Sequence, residues 1–279
     1  MSILENKKKF LSQGYFIVRN LLSKEEISKF SKEIDRLYNL EYKKNIKVRM
    51  GIHPYEKFWS VIINEKLINS LGQIFDKKFH FLYQAGILQT IEGKEYLHHR
   101  DNPCRKFGVG PDWEDNSNYK IARVGIYLQN YEETKFHLNL IPYSHKKKYS
   151  IREFFRFFHK KTRYLNKFRK LRNILPKFFG TSIKTNPGDC IIFDPRVYHS
   201  PSPHLGKRQA IFLSYGEDNR HSDNYVTYFT KLRSGTEYSE IGENFFQFLK
   251  NNDLYKPLNE EITNIPGAFT REREREKNK

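Results

Sequence analysis

The alternation of apolar and polar positions divides the chain into a helical opening and a strand-rich remainder. Residues 14–19 form a short apolar run opened by glycine, which predicts a strand. Ser23 then stands three positions before Glu26, which is the capping-box pattern of a helix N-terminus. Apolar residues follow at spacings of three and four, so the pattern predicts an amphipathic helix over residues 24–40.

After this helix the period of the pattern changes. A second helical stretch is predicted over about 55–76, interrupted near Asn64. From about residue 79, short apolar or alternating runs between Gly, Pro and Asn turns predict strands. Such a series is typical of a β-sandwich or barrel, and we expect the early helices to pack on one of its sheets. The predicted strands cover residues 79–91, 119–131, 136–141, 182–185, 189–194 and 208–215.

Length and composition favour one large domain. The chain has 279 residues, of which 38% are hydrophobic and 15% aromatic, so it can build a packed core. We predict a single domain over residues 1–269, with a core at about 14–235. Residues 270–279 alternate Arg, Glu and Lys with nothing to bury, which predicts a disordered tail.

Cysteine content and hydropathy predict the compartment. Cys104 and Cys190 are too few for a disulfide framework or a thiolate zinc site, so a reducing environment is the expectation. No run of about 18 apolar residues predicts a membrane span, and the first residues do not resemble a signal peptide. We predict a cytoplasmic protein, with a peripheral place at the inner face of a membrane as the alternative.

The formal net charge of +18 suggests an anionic partner: nucleic acid, a membrane surface or an acidic small molecule. Residues 146–180 contain 13 Lys and Arg and a single acidic residue, Glu153. Apolar residues recur there at three and four, which predicts a helical basic insertion with one apolar face.

Three interpretations of the basic insertion stay open. In the first, the helical insertion packs on the barrel and exposes its lysines to solvent. In the second, it is a lid or wall that holds an anionic substrate such as a phosphate or a CoA ester. In the third, it is an interfacial helix that lies on anionic lipid. Nucleic acid is the weaker expectation, because the sequence contains no visible recognition module.

The candidate chemistry begins at residues 98–101, which are His-His-Arg-Asp. On an extended segment, positions i and i+2 project to the same side, so His99 and Asp101 can meet at one ion. His199, about a hundred residues later in the chain, can supply a second imidazole. Two histidines and one carboxylate on one face suit a non-haem iron(II) centre with open positions.

A second His-x-Asp pair, His221 and Asp223, lies past the last predicted barrel strand. No histidine follows it, so only an upstream residue could complete a metal site there. We therefore predict that this pair lies in a surface loop.

Arg208 follows His199 by nine residues, on the next predicted strand. A guanidinium can hold a carboxylate with two parallel hydrogen bonds, which suits the far end of a dicarboxylate. Lys207 is the neighbouring cation, but it should point to the opposite face of the strand. The alternative for Arg208 is an exposed strand arginine.

Four segments, in this order along the chain, resemble motifs of the phytanoyl-CoA dioxygenase family of iron(II)- and 2-oxoglutarate-dependent oxygenases. The first resembles the opening strand and helix, the second the His-x-Asp motif, the third the Pro-Gly-Ser-His turn and the fourth the closing strands. They are residues 14–27, Tyr96–Asp101, Asn139–Lys146, and Pro187–Asp194 with His199 and Arg208.

The resemblance implies a double-stranded β-helix (jelly roll), mainly β with flanking helices. It implies Fe(2+) held by His99, Asp101 and His199, with Arg208 as the clamp for 2-oxoglutarate. It also implies that O2 and 2-oxoglutarate are consumed, releasing succinate and CO2, while a C–H bond is hydroxylated. The presence of Asp101 favours hydroxylation over halogenation, whereas desaturation, epimerisation and cyclisation stay open. Tyr143 departs from the family, because it stands where glycine is usual.

Further residues are predicted at the cosubstrate. Arg123 and Tyr127 share one face of the predicted strand 119–131, and Gln89 lies on the preceding strand. We place Gln89 and Tyr127 beside Arg208 at the 2-oxoglutarate site.

The predicted substrate pocket contains Arg123, Trp113 and His145, with Trp113 in a stretch that could fold over the substrate. We expect His98 to point away from the metal, and His204 to be a loop histidine without an assigned partner.

The leading prediction is an oxygenase for a small or medium anionic organic substrate, such as a lipid, acyl-CoA, sugar or phosphorylated metabolite. The rivals are a non-catalytic jelly-roll binding protein, a peripheral membrane or nucleic-acid binding protein, and a zinc or manganese enzyme on the same barrel.

Overall fold

Antiparallel strands form the centre of the structure, a computed structural model. It describes residues 3–41, 47–93, 98–101, 119–146, 180–227, 229–230 and 241–258. Outside these ranges lie residues 147–179 of the basic insertion, Trp113 and the tail, so what the sequence predicts for them stays a prediction. The prediction of a single domain also stays a prediction.

The larger sheet has seven strands in the described part of the chain. Its order is β1-β8-β5-β10-β4-β2, and β3 also pairs with β10. These strands are β1 (Tyr15–Val18), β2 (Lys47–Met50), β3 (Phe79–Phe81), β4 (Gly86–Thr90), β5 (Ile121–Tyr127), β8 (Cys190–Phe193) and β10 (Arg208–Glu217).

The smaller sheet has the order β7-β6-β9. A single antiparallel bridge adds His99 beside His199 at its edge. Its strands are β6 (His137–Leu140), β7 (Thr181–Lys184) and β9 (His199–Pro201).

Along the chain, successive strands cross between the two sheets. The path runs from β4 in the large sheet to His99 in the small one, to β5, to β6 and β7, to β8, to β9 and back to β10. This winding is the double-stranded β-helix that the family resemblance implied.

The described part of the chain contains seven α-helices and one 3₁₀ turn, most of which bury side chains in the core on the outer face of the large sheet. They are α1 (Ile3–Gln13), α2 (Lys24–Glu41), a 3₁₀ turn (Glu56–Phe58), α3 (Trp59–Ile62), α4 (Glu65–Gly72), α5 (Tyr131–Thr134), α6 (Arg220–Thr227) and α7 (Glu243–Asn251). None of the helices in the described ranges is both long enough and apolar enough to cross a membrane.

The central strand β5 is buried along its whole length, because both faces of the sheet are covered. Val124 belongs to the core shared with the helices, where Phe30 stacks on Phe58 with ring centroids 5.4 Å apart. Tyr127 belongs to a second core, between the sheets, with Leu138. Alternate residues of β5 therefore point into two different apolar cores. Neither face of the strand is exposed to solvent.

The structure differs from the sequence prediction at residues 79–91, which were predicted as one strand. Residues 82–85 interrupt it, and Tyr83 adopts the left-handed region with φ 62°. The sequence gives no sign of this break, because every residue in it suits a strand or a core.

The pair His221 and Asp223 lies in helix α6, so its prediction as a surface loop was wrong. His221 is buried, and Asp223 pairs with Lys256. The helix is capped by the Asn219 side chain, which accepts from the backbone N–H of His221 at 2.9 Å and of Ser222 at 3.1 Å.

The predicted capping box of α2 is present. The backbone N–H of Glu26 donates to Ser23 Oγ at 3.2 Å, and that of Ser23 donates to Glu26 Oε2 at 2.8 Å. The reciprocal bonds satisfy two N–H groups that have no partner within the helix.

We expect Ser23→Ala to lower the free energy of unfolding by about 1 kcal/mol, because it removes the acceptor of the cap. Urea denaturation followed by circular dichroism measures this change. Ser28→Ala is the matched control, since it is the same substitution at an exposed position within α2. Equal effects of the two substitutions would contradict a role for the cap.

Candidate metal centre

The small sheet sets His99 and His199 directly opposite each other. Their backbones exchange two hydrogen bonds, from His99 N to His199 O at 2.8 Å and from His199 N to His99 O at 2.9 Å. Directly opposite residues project to the same face of an antiparallel pair. The two imidazoles therefore lie side by side, with ring centroids 4.4 Å apart.

Asp101 joins them from two residues beyond His99. Its backbone N–H donates to the Pro195 carbonyl at 2.9 Å. Its Oδ1 lies 3.6 Å from His99 Nε2 and its Oδ2 lies 3.7 Å from His199 Nε2. The three residues, called the triad below, each offer a ligand atom within 4.8 Å of the others. Two ligands at about 2.1 Å from one ion and at right angles are about 3 Å apart, so a small inward shift would complete a coordination sphere.

The chemistry of His199 suits a metal ligand. Its Nδ1 lies 3.0 Å from the Val197 carbonyl, which can only accept, so the ring proton is on Nδ1 and Nε2 keeps its lone pair. Burial, and secondly the neighbouring His99, lower the pKa of His199 to about 4, so the ring is neutral near pH 7.

The loop that leads into β9 is fixed by a buried ion pair. Arg196 holds Asp194 with Nε at 3.0 Å from Oδ1 and Nη2 at 2.6 Å from Oδ2. Both side chains are largely buried. The guanidinium also lies over the ring of Tyr119, 4.1 Å from its centroid. This loop supplies the carbonyl groups of Pro195 and Val197, so the ion pair fixes the acceptors that orient two members of the triad.

The turn over residues 141–145 supports the same loop. Ser144 Oγ accepts from the Tyr198 N–H at 2.9 Å and donates to the Ile141 carbonyl at 2.6 Å. Arg100 lies over the ring of Tyr198, 3.9 Å from its centroid. Tyr143 adopts φ 66°, in the left-handed region that favours glycine, which is the residue usual there in the family that the sequence resembles.

The triad faces a cavity of about 400 Å³ between the two sheets. This volume is in the range of small-molecule sites. Most of its wall is apolar, with a few polar side chains. The lining residues are Leu88, Thr90, Glu92, Gly93, His99, Asp101, Arg123, Tyr127, Leu138, Phe193, His199, Pro201, Ser202, His204, Arg208 and Phe212.

Arg208 is buried in the wall of this cavity. Its guanidinium carbon lies 3.8 Å from the centroid of the Phe136 ring. Thr90 lies opposite Arg208 in the register of β4 and β10, and Thr90 Oγ1 is 2.9 Å from His204 Nε2. Lys207 points the other way, to Asp35 at 2.7 Å on the surface. Arg208 is therefore the inward-facing cation of the two, as the alternation predicted.

Two other predicted residues, Tyr127 and Arg123, also line the cavity. Burial raises the pKa of Tyr127 to about 12, so its phenol stays protonated. The polar contacts of Arg123 include the Asp101 carboxylate, so its place is beside the triad.

Gln89 and His145 do not line the cavity, which corrects their predicted roles. Gln89 lies between Leu88 and Thr90 on β4, and alternation sends it to the other face, where Gln209 Nε2 donates to its Oε1 at 2.7 Å. His145 packs against Gly14, and its Nε2 lies 3.3 Å from the Leu11 carbonyl. Since burial lowers the pKa of His145, its ring is a neutral packing group.

Sequence reasoning missed Thr90 and His204 in the cavity wall. The register opposite Arg208 could have indicated Thr90, whereas no pattern indicates His204, because it lies in a loop. His98 contacts Ser200 Oγ at 3.4 Å and does not line the cavity, in line with the expectation that it points away.

Comparison with known proteins places this geometry in a fold. No family model and no curated protein matches the sequence. Among solved structures, HygX from Streptomyces hygroscopicus with nickel and 2-oxoglutarate bound is 15% identical, with a TM-score of 0.59 over 77% of this chain and 86% of that one. The chain shares the fold of HygX.

A second neighbour is the epimerase SnoN from nogalamycin biosynthesis, in complex with Fe3+, alpha ketoglutarate and nogalamycin RO. It is 12% identical, with a TM-score of 0.54 over 86% of this chain and 94% of that one. Another HygX structure holds nickel, 2-oxoglutarate and hygromycin B. The double-stranded β-helix is therefore common to the three proteins, whose sequences have diverged widely.

We expect Arg196→Met to lower the free energy of unfolding by about 3 kcal/mol, because it leaves the buried Asp194 carboxylate without its cation. Guanidinium denaturation of the metal-free protein measures the change. Lys78→Met is the control, since its ion pair with Asp253 is exposed and should contribute less than about 1 kcal/mol. A loss as small as that of the control would show that the loop does not depend on the pair.

Proposed function

We propose that the protein is an iron(II)- and 2-oxoglutarate-dependent oxygenase that hydroxylates a C–H bond of a small organic molecule. The observation that carries the proposal is the convergence of the triad in the same cavity as the buried Arg208. In the overall reaction, 2-oxoglutarate, O2 and R–H give succinate, CO2 and R–OH.

Iron(II) fits the donor set of the triad. Two imidazoles and one carboxylate would hold the ion on one face and leave positions open for cosubstrates. Bound iron supplies the redox chemistry that activates O2. The chain contributes the orientation of His199 through Val197 and of Asp101 through Pro195, so the donor atoms need little rearrangement to bind the ion.

Arg208 is the proposed partner of the distal carboxylate of 2-oxoglutarate. Its guanidinium is buried against Phe136, which fixes the plane of the fork, and Thr90 adds a hydroxyl beside it. A planar guanidinium binds a carboxylate through two parallel hydrogen bonds, and burial strengthens both. The 2-oxo acid end of the same molecule is then left for the metal.

The apolar wall serves the same reaction. Phe193 packs edge-on against His199, with ring centroids 4.8 Å apart, and Leu88, Leu138 and Phe212 line the cavity with it. These side chains exclude water from the place where a C–H bond is attacked, which protects the reactive centre from side reactions.

The substrate is proposed to be a small or medium organic molecule. A cavity of about 400 Å³ holds 2-oxoglutarate and the reacting part of a larger molecule, whose remainder extends beyond the cavity. HygX and SnoN bind hygromycin B and nogalamycin RO, which supports a small-molecule substrate. The expected anionic character rests on the net charge of +18 and stays a prediction from the sequence.

Asp101 occupies the carboxylate position of the triad, which favours hydroxylation over halogenation. A halogenase would need that position for a halide, and here the carboxylate is held by its own backbone and by Arg123.

We expect the purified protein to release succinate from 2-oxoglutarate when Fe(II) and O2 are supplied. His199→Ala should lower this release at least about 100-fold, because it removes one of three ligands. His98→Ala is the matched control, since it removes the adjacent imidazole on the other side of the strand. Absence of turnover in the wild-type protein across sugars, lipids, acyl-CoA esters and phosphorylated metabolites would favour the non-catalytic binding protein.

Arg208→Met should raise the KM for 2-oxoglutarate about 100-fold, because losing a buried charged hydrogen-bond partner costs about 3 kcal/mol. Arg208→Lys keeps the positive charge without the planar guanidinium, so its KM should lie between those of the wild type and Arg208→Met. Succinate release at varied 2-oxoglutarate measures both. Lys207→Met, one position away on the outer face, is the control, and an equal rise in its KM would contradict the assignment of Arg208.

A further inference from the structure

Arg123 is a charged side chain in the middle of the largest sheet. It lies on β5 and is 1% exposed. Transfer of an ion from water to such a site costs several kcal/mol, unless a counter-ion and hydrogen bonds satisfy it. A buried arginine next to the triad therefore needs an explanation in terms of what it contacts.

Its guanidinium donates three hydrogen bonds within the described part of the chain. Nε donates to Asp101 Oδ2 at 3.3 Å, and Nη1 donates to the Gln84 carbonyl at 2.6 Å and to Ser214 Oγ at 2.8 Å. Its carbon also lies 5.5 Å from the centroid of the Phe212 ring. Nη1 is thus held by Ser214 on β10 and by the Gln84 carbonyl, while Nε donates to the Asp101 carboxylate.

The fold bends to provide these anchors. Ser214 lies opposite Arg123 in the register of β10 and β5. Gln84 lies in the break between β3 and β4, where Tyr83 adopts φ 62°. A non-glycine residue in that region costs about 1–2 kcal/mol, and such strain is concentrated at functional sites. The break that the sequence did not predict therefore turns a carbonyl group towards Arg123.

Tyr225 links the same anchor to the metal-binding segment. Its hydroxyl contacts Gln84 Oε1 and lies 3.5 Å from the Asp101 carbonyl oxygen. Tyr225 and Arg123 therefore both contact Gln84 and both lie beside Asp101.

We infer that Arg123 is a positioning residue that makes Asp101 a one-oxygen ligand of the metal. Oδ1 lies 3.6 Å from His99 Nε2 and Oδ2 lies 3.7 Å from His199 Nε2, so both oxygens face the imidazoles. The hydrogen bond from Arg123 Nε distinguishes them, because it occupies Oδ2 and leaves Oδ1 to the ion. A carboxylate that bound through both oxygens would occupy one more position. Arg123 thereby keeps a position open for the cosubstrates, and this inference rests on the proposed function.

The same contact gives Asp101 a cation before any metal binds. Arg123 Nε lies 3.3 Å from the Asp101 carboxylate, which stands beside two imidazoles. The triad is therefore assembled in the metal-free protein, and the ion enters a site whose carboxylate is already oriented.

Titration of the metal-free protein with Co(II), a probe for Fe(II), tests the inference. We expect Arg123→Gln to weaken Co(II) binding about 10- to 100-fold, the usual effect of losing a partner of a ligand. The visible absorption of bound Co(II) should also change, because it responds to the number of ligands. Arg123→Lys keeps the buried charge without the planar fork, so its Kd should lie between those of the wild type and Arg123→Gln.

Lys120→Met is the matched control. Lys120 is also a buried cation, held by the Ile74 carbonyl and Asp76, and it directly precedes β5. Its loss should lower the melting temperature and leave the Co(II) Kd and spectrum unchanged. A merely structural role of Arg123 would give the same result as this control.

The outcomes separate the two proposals. If the wild-type protein does not bind Co(II), the metal site itself is wrong and the inference fails with it. If the wild type binds and the folded Arg123→Gln variant gives a Kd within twofold of it and the same spectrum, the inference alone is overturned. Should Arg123→Gln fail to fold, Arg123→Lys decides by the same two measurements, with circular dichroism to verify its fold.

Discussion

The pair of backbone hydrogen bonds between His99 and His199 is the interaction on which the site depends. It joins segments far apart in the chain and sets two imidazoles on one face of the small sheet. Asp101 then follows two residues after His99, a spacing that returns its side chain to that face. The winding of the two sheets brings these segments together, so the centre is a product of the whole barrel and not of a local motif.

Around this bridge, three largely buried arginines have three different roles. Buried Arg196 holds Asp194 and thereby the loop, buried Arg123 holds Asp101, and Arg208 faces the cavity against an aromatic ring. Arg123 is fixed by Ser214 on the neighbouring strand, Arg196 by Asp194 in its own loop, and Arg208 by the ring of Phe136, so each guanidinium has a defined direction. The net positive charge of the sequence gives no hint of this division, because it counts cations without regard to where they point.

The parts of the structure that follow local rules could be predicted. The capping box of α2, most of the strands and the inward direction of Arg208 each depend on spacing within a few residues. The break at residues 82–85 provides a carbonyl group for a distant partner, Arg123, that no local pattern contains. The outward direction of Gln89 follows from alternation only once the cross-strand register of Thr90 and Arg208 is known. The helix at His221 was missed for another reason: its cap, Asn219, was visible in the sequence and was not used.

The unequal burial of the two histidines gives the centre a direction. The His199 side chain is 6% exposed and the His99 side chain is 49% exposed, while Asp101 lies between them at 23%. An arriving ion or a chelator in solution therefore meets the His99 ring first and reaches the His199 ring last. In the proposed metal centre, the ion would enter and leave on the side of His99. The rates of both steps would then depend on access to His99 more than on access to His199.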